Sequence, residues 1–232
     1  MKKLLKKIDL FFVGRSKKWS RKNLYEFIDS QLKSITPGMS VLNVGASGEV
    51  GSRLSRALTQ NNNGIELVST DIDPERKPDI VCDVCDMPFP DNSFDAVFLI
   101  EVLEHVHNPP KALSEIYRVL KPGGTLIYSV PFIFPLHDRP GDYFRYTKYG
   151  LKLLLSDYDQ VCIFERNSFW EAITVLKLRL IAEKSYKLRI LGILYLLSGA
   201  TLLVPLYNLL VRSDSLTTGY AGTAKKHANK DG

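Results

Sequence analysis

Residues 40–50 read SVLNVGASGEV: a short apolar run over 40–44 that empties into a turn of small residues, Gly45-Ala46-Ser47-Gly48, and then into a helical pattern over 50–58. The unit recurs. Apolar runs at 66–70, 80–82, 96–100 and 125–130 alternate with helical stretches, the clearest at 110–120, which Lys121-Pro122-Gly123-Gly124 breaks. Ahead of the first run, residues 20–34 set Leu24, Phe27, Ile28 and Leu32 on one helical face, and Pro37-Gly38 ends that stretch. Continuous apolar strands alternating with helices predict an α/β fold around a buried, mostly parallel sheet. In such sheets ligands sit beyond the carboxyl ends of the strands. The polar residues just beyond each run are therefore the candidates for function.

After the first run comes the glycine turn, where small residues let the backbone approach a ligand and aim helix N–H groups at it. After the second comes Asp71, placed to accept two hydrogen bonds from a ribose diol, with Asp73 a rival two residues on. Asp83 comes after the third run, and Glu101-Val102-Leu103-Glu104-His105 after the fourth. Turn, ribose acid and second acid, in that order, point to a nucleoside-containing cofactor. A nicotinamide site predicts G-x-G-x-x-G, whereas Gly45, Gly48 and Gly51 recur every third residue.

Five strings then carry a family likeness: 41–45 (VLNVG), 83–89 (DVCDMPF), 93–97 (SFDAV), 101–106 (EVLEHV) and 118–124 (RVLKPGG). They closely resemble class I S-adenosylmethionine-dependent methyltransferases of the methyltransferase domain type 11 group. The likeness is dense over 40–131 and looser elsewhere. It implies a Rossmann-like, seven-stranded, mostly parallel sheet with helices on both faces and its last strand antiparallel beside strand five. It also implies that Gly45, Ala46 and Gly48 line the methionine part of S-adenosyl-L-methionine, that Asp71 binds the ribose, that Asp83 and the Val84 backbone bind the adenine, and that Glu101 closes the site near the sulfonium. Two departures stand out. The family usually has an acid where Asn43 stands, and a glycine near Ser47.

Methyl transfer asks the protein to hold nucleophile and methyl in line, and asks for a base only if the acceptor must lose a proton. The loop after the fifth run, residues 131–147 (PFIFPLHDRPGDYFRYT), is dense in aromatic and titratable side chains. His137 is the expected general base, with Tyr143 and Arg145 orienting the acceptor; a packed lid, with Thr147 capping the next helix, is the competing expectation. Glu101, Glu104 and His105 fall at i, i+3 and i+4, so a helix would set them on one side as ligands for a divalent metal, with His137 a fourth. Similar E-x-x-E-H strings occur in metal-dependent small-RNA and ubiquinone-pathway O-methyltransferases, and also in relatives with no known metal.

The ends differ from the middle. Net charge is +6 with 45% hydrophobic residues, which excludes a disordered chain. Residues 1–22 hold nine basic side chains against Asp9 alone, a net of +8 that leaves the other 210 residues at −2. Leu4, Leu5, Ile8, Phe11 and Phe12 recur at helical spacing, so the arm reads as a basic amphipathic helix suited to an anionic membrane surface rather than a secretory signal, with a solvated or nucleic-acid-binding basic arm as the alternative. From Ile190 to Val211 no residue is charged. A single crossing would strand the expected final strand, residues 217–224, on the wrong side of the membrane, so an in-plane or re-entrant helical pair divided near Pro205 is expected instead.

The expected organisation is a basic arm and helix (1–36), a cofactor-binding core (37–168), a hydrophobic helical insertion (169–214) and a final strand with tail (215–232). Cys82, Cys85 and Cys162 predict no disulfide framework, and Cys82-x-x-Cys85 reads as coincidence within a strand. The sequence thus predicts an enzyme at the cytoplasmic, inner face of a membrane, peripherally attached, that methylates an oxygen of a small-molecule, lipid or lipid-linked acceptor. A methyltransferase-like binding module without catalysis and an RNA methyltransferase are the alternatives.

Overall fold

The computed structural model describes residues 19–228 other than 22, 47, 61–63, 183–184 and 212, together with Gly14. The expectations for the basic arm and for Ser47 lie outside the described residues. By contacts the chain forms two compact units. One comprises 27–131, 136–164 and 220–232; the other comprises 1–26, 132–135 and 165–219.

A seven-stranded sheet forms from β1 (Ser40–Val44), β2 (Glu66–Asp71), β3 (Ile80–Val81), β4 (Phe94–Ile100), β5 (Leu120–Pro131), β6 (Asp159–Glu165) and β7 (Gly219–Lys225), in the order β3-β2-β1-β4-β5-β7-β6. β1 pairs in parallel with β2 and β4, β2 with β3, and β4 with β5. β7 runs against β5: Gly123 N donates to Lys226 O at one end, and Phe132 N to Thr218 O at the other. The seven-stranded, mostly parallel sheet with its reversed strand beside β5 is the expected fold. Leu42, Val97, Phe98, Leu99, Leu126 and Ile127 have at most 1% exposure, which explains why these strands read as unbroken apolar runs.

The helices flanking these strands obey local signals. They are α1 (23–32), α2 (Gly48–Gln60), α3 (Pro109–Val119) and α4 (Lys148–Leu154). Asn108 caps α3, with proline in the first turn where a missing N–H costs nothing, and Thr147 caps α4 through its side chain to Gly150 N. The Lys121–Gly124 turn, expected to break the chain before its strand, is instead taken into β5. Phe94 pairs with Leu120 but Ala96 with Thr125, a bulge that absorbs the proline and Gly123 at φ +76°. Cys82 and Cys85 lie beyond β3 rather than in a strand, and burial raises both thiol pKa values, so neither is an activated thiolate.

The other unit holds α5 (Phe169–Arg179), α6 (Tyr186–Leu197) and α7 (Val204–Leu210), with short 3-10 turns at Leu180–Ala182 and Ala200–Leu203. Ser168 and Glu171 form a reciprocal capping box at the start of α5. The apolar stretch 190–211 is a bent helical pair, as expected, but Pro205 does not divide it. The break is at Ser198–Gly199, where Gly199 takes φ +69°. Pro205 sits in the first turn of α7, where it is tolerated.

Candidate active site

The register of the parallel strands assembles the site. Val44 pairs with Thr70 on one side and Leu99 on the other, so the Gly45 turn lies between the ends of β2 and β4. Thr70 O accepts from Gly45 N at 2.8 Å and Ala46 N at 3.1 Å, which fixes the turn to the end of β2. Gly45 has φ +66°, and a Cβ there would stand 2.3 Å from Val102 Cγ2. Gly48 opens α2. Gly51, which the sequence offered only as spacing, is constrained by backbone rather than by a side chain: a Cβ would stand 2.4 Å from Ala46 C and O. Asn43 is buried and donates to Ser55 Oγ on α2 at 3.2 Å.

Asp71 ends β2 at 4% exposure. Its Oδ1 accepts from Asp73 N at 3.1 Å, and Arg76 Nη1 lies 3.4 Å from Oδ2. The rival Asp73 instead caps the adjoining 3-10 turn through Glu75 N. Cys82 N donates to Asp71 O, which brings the next residue, Asp83, beside the Asp71 loop. Asp83 is exposed, its Oδ1 accepting from Cys85 N, while Val84 is buried. Arg118 of α3 clamps the adjoining segment, residues 87–91, donating to Met87 O, Phe89 O and Asp91, and it also donates to Glu115 on its own helix. Glu115 in turn accepts from Met87 N, and Arg118 holds its carboxyl below the usual range.

Glu101 leaves β4 at φ +56°, a strained conformation for a residue with a Cβ. Two bonds to Ser129 hold it: Glu101 N to Ser129 O at 3.0 Å, and Ser129 Oγ to Glu101 Oε1 at 2.9 Å. Leu103–His105 is a 3-10 turn, not the helix expected from the E-x-x-E-H spacing. That geometry changes the candidate metal set. Among the described residues, Glu104, His105 and His137 bring ligand atoms within 4.8 Å of one another, and Glu101 is not of that group.

Glu104 is fully buried, with His105 Nε2 at 3.7 Å and His137 Nε2 at 3.8 Å from the same Oε1. His105 Nδ1 lies 2.6 Å from Gly141 O, an acceptor only, so that nitrogen carries the proton. His137 Nδ1 faces Asp142 Oδ2 at 3.3 Å, which favours the same tautomer. Burial pushes the His137 pKa below its ordinary value, only partly opposed by Asp142.

Asp142, absent from the sequence candidates, organises the loop. It accepts from His137 N at 2.9 Å and from Arg145 Nη2 at 2.7 Å, and the Arg145 hydrogen bonds hold its carboxyl far below the usual range. Its sequence signal was the i, i+3 Asp–Arg pair. Arg145, expected to orient an acceptor, thus has its guanidinium on Asp142. The Tyr143 hydroxyl is 3.0 Å from His107 Nε2, and the two rings lie 4.2 Å apart. Tyr143 N and Phe144 N both donate to Glu104 O, tying the loop to the 3-10 turn.

The chain is similar to known proteins in sequence and in fold. Residues 42–128 match the family described as Methyltransferase domain. The demethylmenaquinone methyltransferase of Renibacterium salmoninarum is 31% identical over 159 residues, covering 63% of this chain and 60% of that protein. Cycloartenol-C-24-methyltransferase 1 of Oryza sativa subsp. japonica is 35% identical over 122 residues, covering 47% of this chain and 35% of that protein. The chain therefore spans at most about 60% of the length of these two relatives. The fold resembles a phosphoethanolamine N-methyltransferase 2 from Haemonchus contortus, solved with phosphomonomethylethanolamine and S-adenosylhomocysteine. The TM-score is 0.56 at 16% identity, over 95% of this chain and 58% of that one.

Proposed function

We propose, on the premise that this chain carries a class I S-adenosylmethionine-dependent methyltransferase domain, that it methylates a hydroxyl oxygen of a lipid or lipid-linked small molecule at a membrane surface. When bound, S-adenosylmethionine supplies an electrophilic methyl on a sulfonium, and the chain supplies placement and proton handling. The residues present fit that cofactor: a turn fixed to Thr70 O, an acid ending β2, and a carboxylate held beyond β4 by Ser129. Gly45, Ala46 and Gly48 would take the methionine part, Asp71 the ribose, Asp83 and the Val84 backbone the adenine, and Glu101 the sulfonium side. Asp71 meets a ribose only if Arg76 yields its place on Oδ2.

The observation that carries the acceptor reading is the buried His137–Glu104 pair. A neutral imidazole with its Nδ1 proton toward Asp142 offers Nε2 to an acceptor O–H. The proton it takes is then stabilised by the Glu104 carboxylate 3.8 Å away. Arg145 acts through Asp142 as a positioning residue, and the half-exposed Tyr143 is left for the acceptor. Relatives named for demethylmenaquinone and cycloartenol support an apolar acceptor, and the +8 arm over 1–22 supports a membrane location. The test is transfer of labelled methyl from S-adenosylmethionine to a membrane lipid extract, with the product analysed for a methyl ether. Methylation of RNA or of carbon alone overturns the reading.

A second reading is favoured by the imidazoles themselves. Each turns Nδ1 to an oxygen acceptor and Nε2 to one carboxylate oxygen, the pattern by which metal-bound histidines are oriented. Glu104, His105 and His137 would then hold a divalent ion that polarises the acceptor oxygen. Loss of turnover on chelation, restored by one divalent metal, selects this reading over the free base.

A further inference from the structure

We propose that the bent α6–α7 pair is a membrane-docking surface lying in the plane of one leaflet, its leucines among the acyl chains and its flanking basic residues among anionic headgroups. The inference rests on the reading that the acceptor is lipid or lipid-linked, and names the surface that keeps the chain where such an acceptor resides.

The bent pair has an inner and an outer face within its unit. Inward, a Cβ on Gly192 would meet Ile181 N at 2.8 Å, so α6 lies flush on the Leu180–Ala182 turn. The Tyr195 hydroxyl pairs with that of Thr174, and Lys177 Nζ stands 4.3 Å over the Tyr195 ring. On α7, the Tyr207 ring lies tilted against Trp170 at 4.9 Å between centroids, and Asn208 Oδ1 accepts from Ser168 Oγ. Even the Ser198 hydroxyl at the bend turns back to Tyr195 O. The outer face is left to Leu191, Leu194, Leu197, Leu202, Leu209 and Leu210, each more than half exposed, with Leu197 at 76% and Leu202 at 82%.

The chemistry of that face favours lipid over protein. A protein interface carries about one hydrogen bond per 100–200 Å² and is anchored by aromatic residues and arginine. Here the exposed row is leucine, and the polar side chains Tyr195, Ser198 and Asn208 are engaged within the unit. The absence of charge from Ile190 to Val211 ends at basic residues on both sides, Lys187 and Arg189 before and Arg212 after, which complement anionic headgroups. Packing sets the orientation: both arms are held along one side, α6 on the Leu180–Ala182 turn and α7 on the start of α5, which leaves a single face for lipid. The arms Lys187–Leu197 and Ala200–Leu210 meet at a 54° bend. Each is about 16 Å long, roughly half of a ~30 Å hydrocarbon core, so only the bent pair together has the length to cross. Among the described residues no single helix is long and apolar enough to cross a membrane.

The test is co-sedimentation of the full chain with vesicles of phosphatidylcholine, with and without phosphatidylglycerol, beside the triple variant Leu197→Ser, Leu202→Ser, Leu209→Ser. All three positions are exposed, so melting and cofactor affinity of the variant stay as in the parent. The parent sediments with the anionic vesicles and is released by alkaline carbonate, and the variant partitions about tenfold or more weakly. Three results overturn the proposal. They are a parent that stays in the supernatant, a variant that binds equally, and bound parent that resists carbonate, as a true span does. A parent dimer that the substitutions convert to monomer, without vesicle binding, assigns the face to a second copy and also overturns it. Vesicle binding without lipid methylation leaves this surface standing and fails the acceptor reading alone.

Discussion

The rings of His105 and His137 stand 5.0 Å apart between centroids at 74°, each with its Nε2 toward the same oxygen of Glu104. His105 Nδ1 is tied to Gly141 O, His137 Nδ1 stands 3.3 Å from Asp142 Oδ2, and the other nitrogen of each ring faces a carboxylate wholly removed from water. A buried carboxylate facing two imidazoles stabilises a proton or a cation at that point. On the proposed reading, this arrangement is what handles the acceptor's proton.

On the proposed reading, His137→Ala removes the base and leaves the cofactor edge untouched. General-base catalysis is worth about 10²–10⁴-fold, so kcat is expected to fall by that much while S-adenosylmethionine affinity by calorimetry holds. Asp142→Asn should fall between parent and His137→Ala, because it loosens the imidazole without removing it.

The pH profile is set by the direction of the His137 shift. A base is active when unprotonated, and burial lowers the pKa of this imidazole. Activity should therefore rise with pH through a value below the ordinary histidine pKa of about 6.5 and stay flat above it. A limb centred at or above that value contradicts the desolvated base.

Stability in acid reports on Asp142. Its folded pKa is depressed by Arg145, so its contribution is fully present above the unfolded pKa of about 4 and is lost as pH falls through the folded value. The gap in melting temperature between the parent and Asp142→Asn should narrow as pH drops below about 4. A gap independent of pH contradicts the Asp142–Arg145 pair.

Arg118→Met strips donors from Met87 O and Phe89 O and leaves Glu115 beside uncompensated backbone. With the Arg118 side chain 30% exposed, losing these bonds costs about 1–3 kcal/mol, a melting shift of roughly 2–12 °C in a chain of this size. The loop beyond Asp83 and Val84 should loosen with it, so cofactor affinity falls in parallel. Gly51→Ala acts at the other side of the cofactor edge. A methyl 2.4 Å from the Ala46 carbonyl forces α2 off the glycine turn, at a cost of about 1–3 kcal/mol.

The sheet was legible because its strands are buried on both faces and read as unbroken apolar runs, as with Phe98 and Leu99. Asp71 and Glu101 were legible because they end such runs. Less was visible where a few residues depart from regular geometry. The E-x-x-E-H spacing implied a helix, but a 3-10 turn turned Glu104 inward and left Glu101 on Ser129. Glu104 meets His137 across a chain separation no local pattern encodes. Proline was over-read at 205 and glycine under-read at 199, because only the glycine adopts the left-handed conformation that stops α6.

The central claim is that the carboxyl edge of β1, β2 and β4 binds S-adenosylmethionine, with Asp71 on the ribose. Calorimetric titration of the full chain with S-adenosylmethionine tests it directly, alongside Asp71→Ala. The account predicts saturable one-to-one binding that weakens by about 10–100-fold when the charged hydrogen-bond acceptor is removed. No heat of binding at millimolar cofactor, or an Asp71→Ala variant that binds as the parent does, contradicts it.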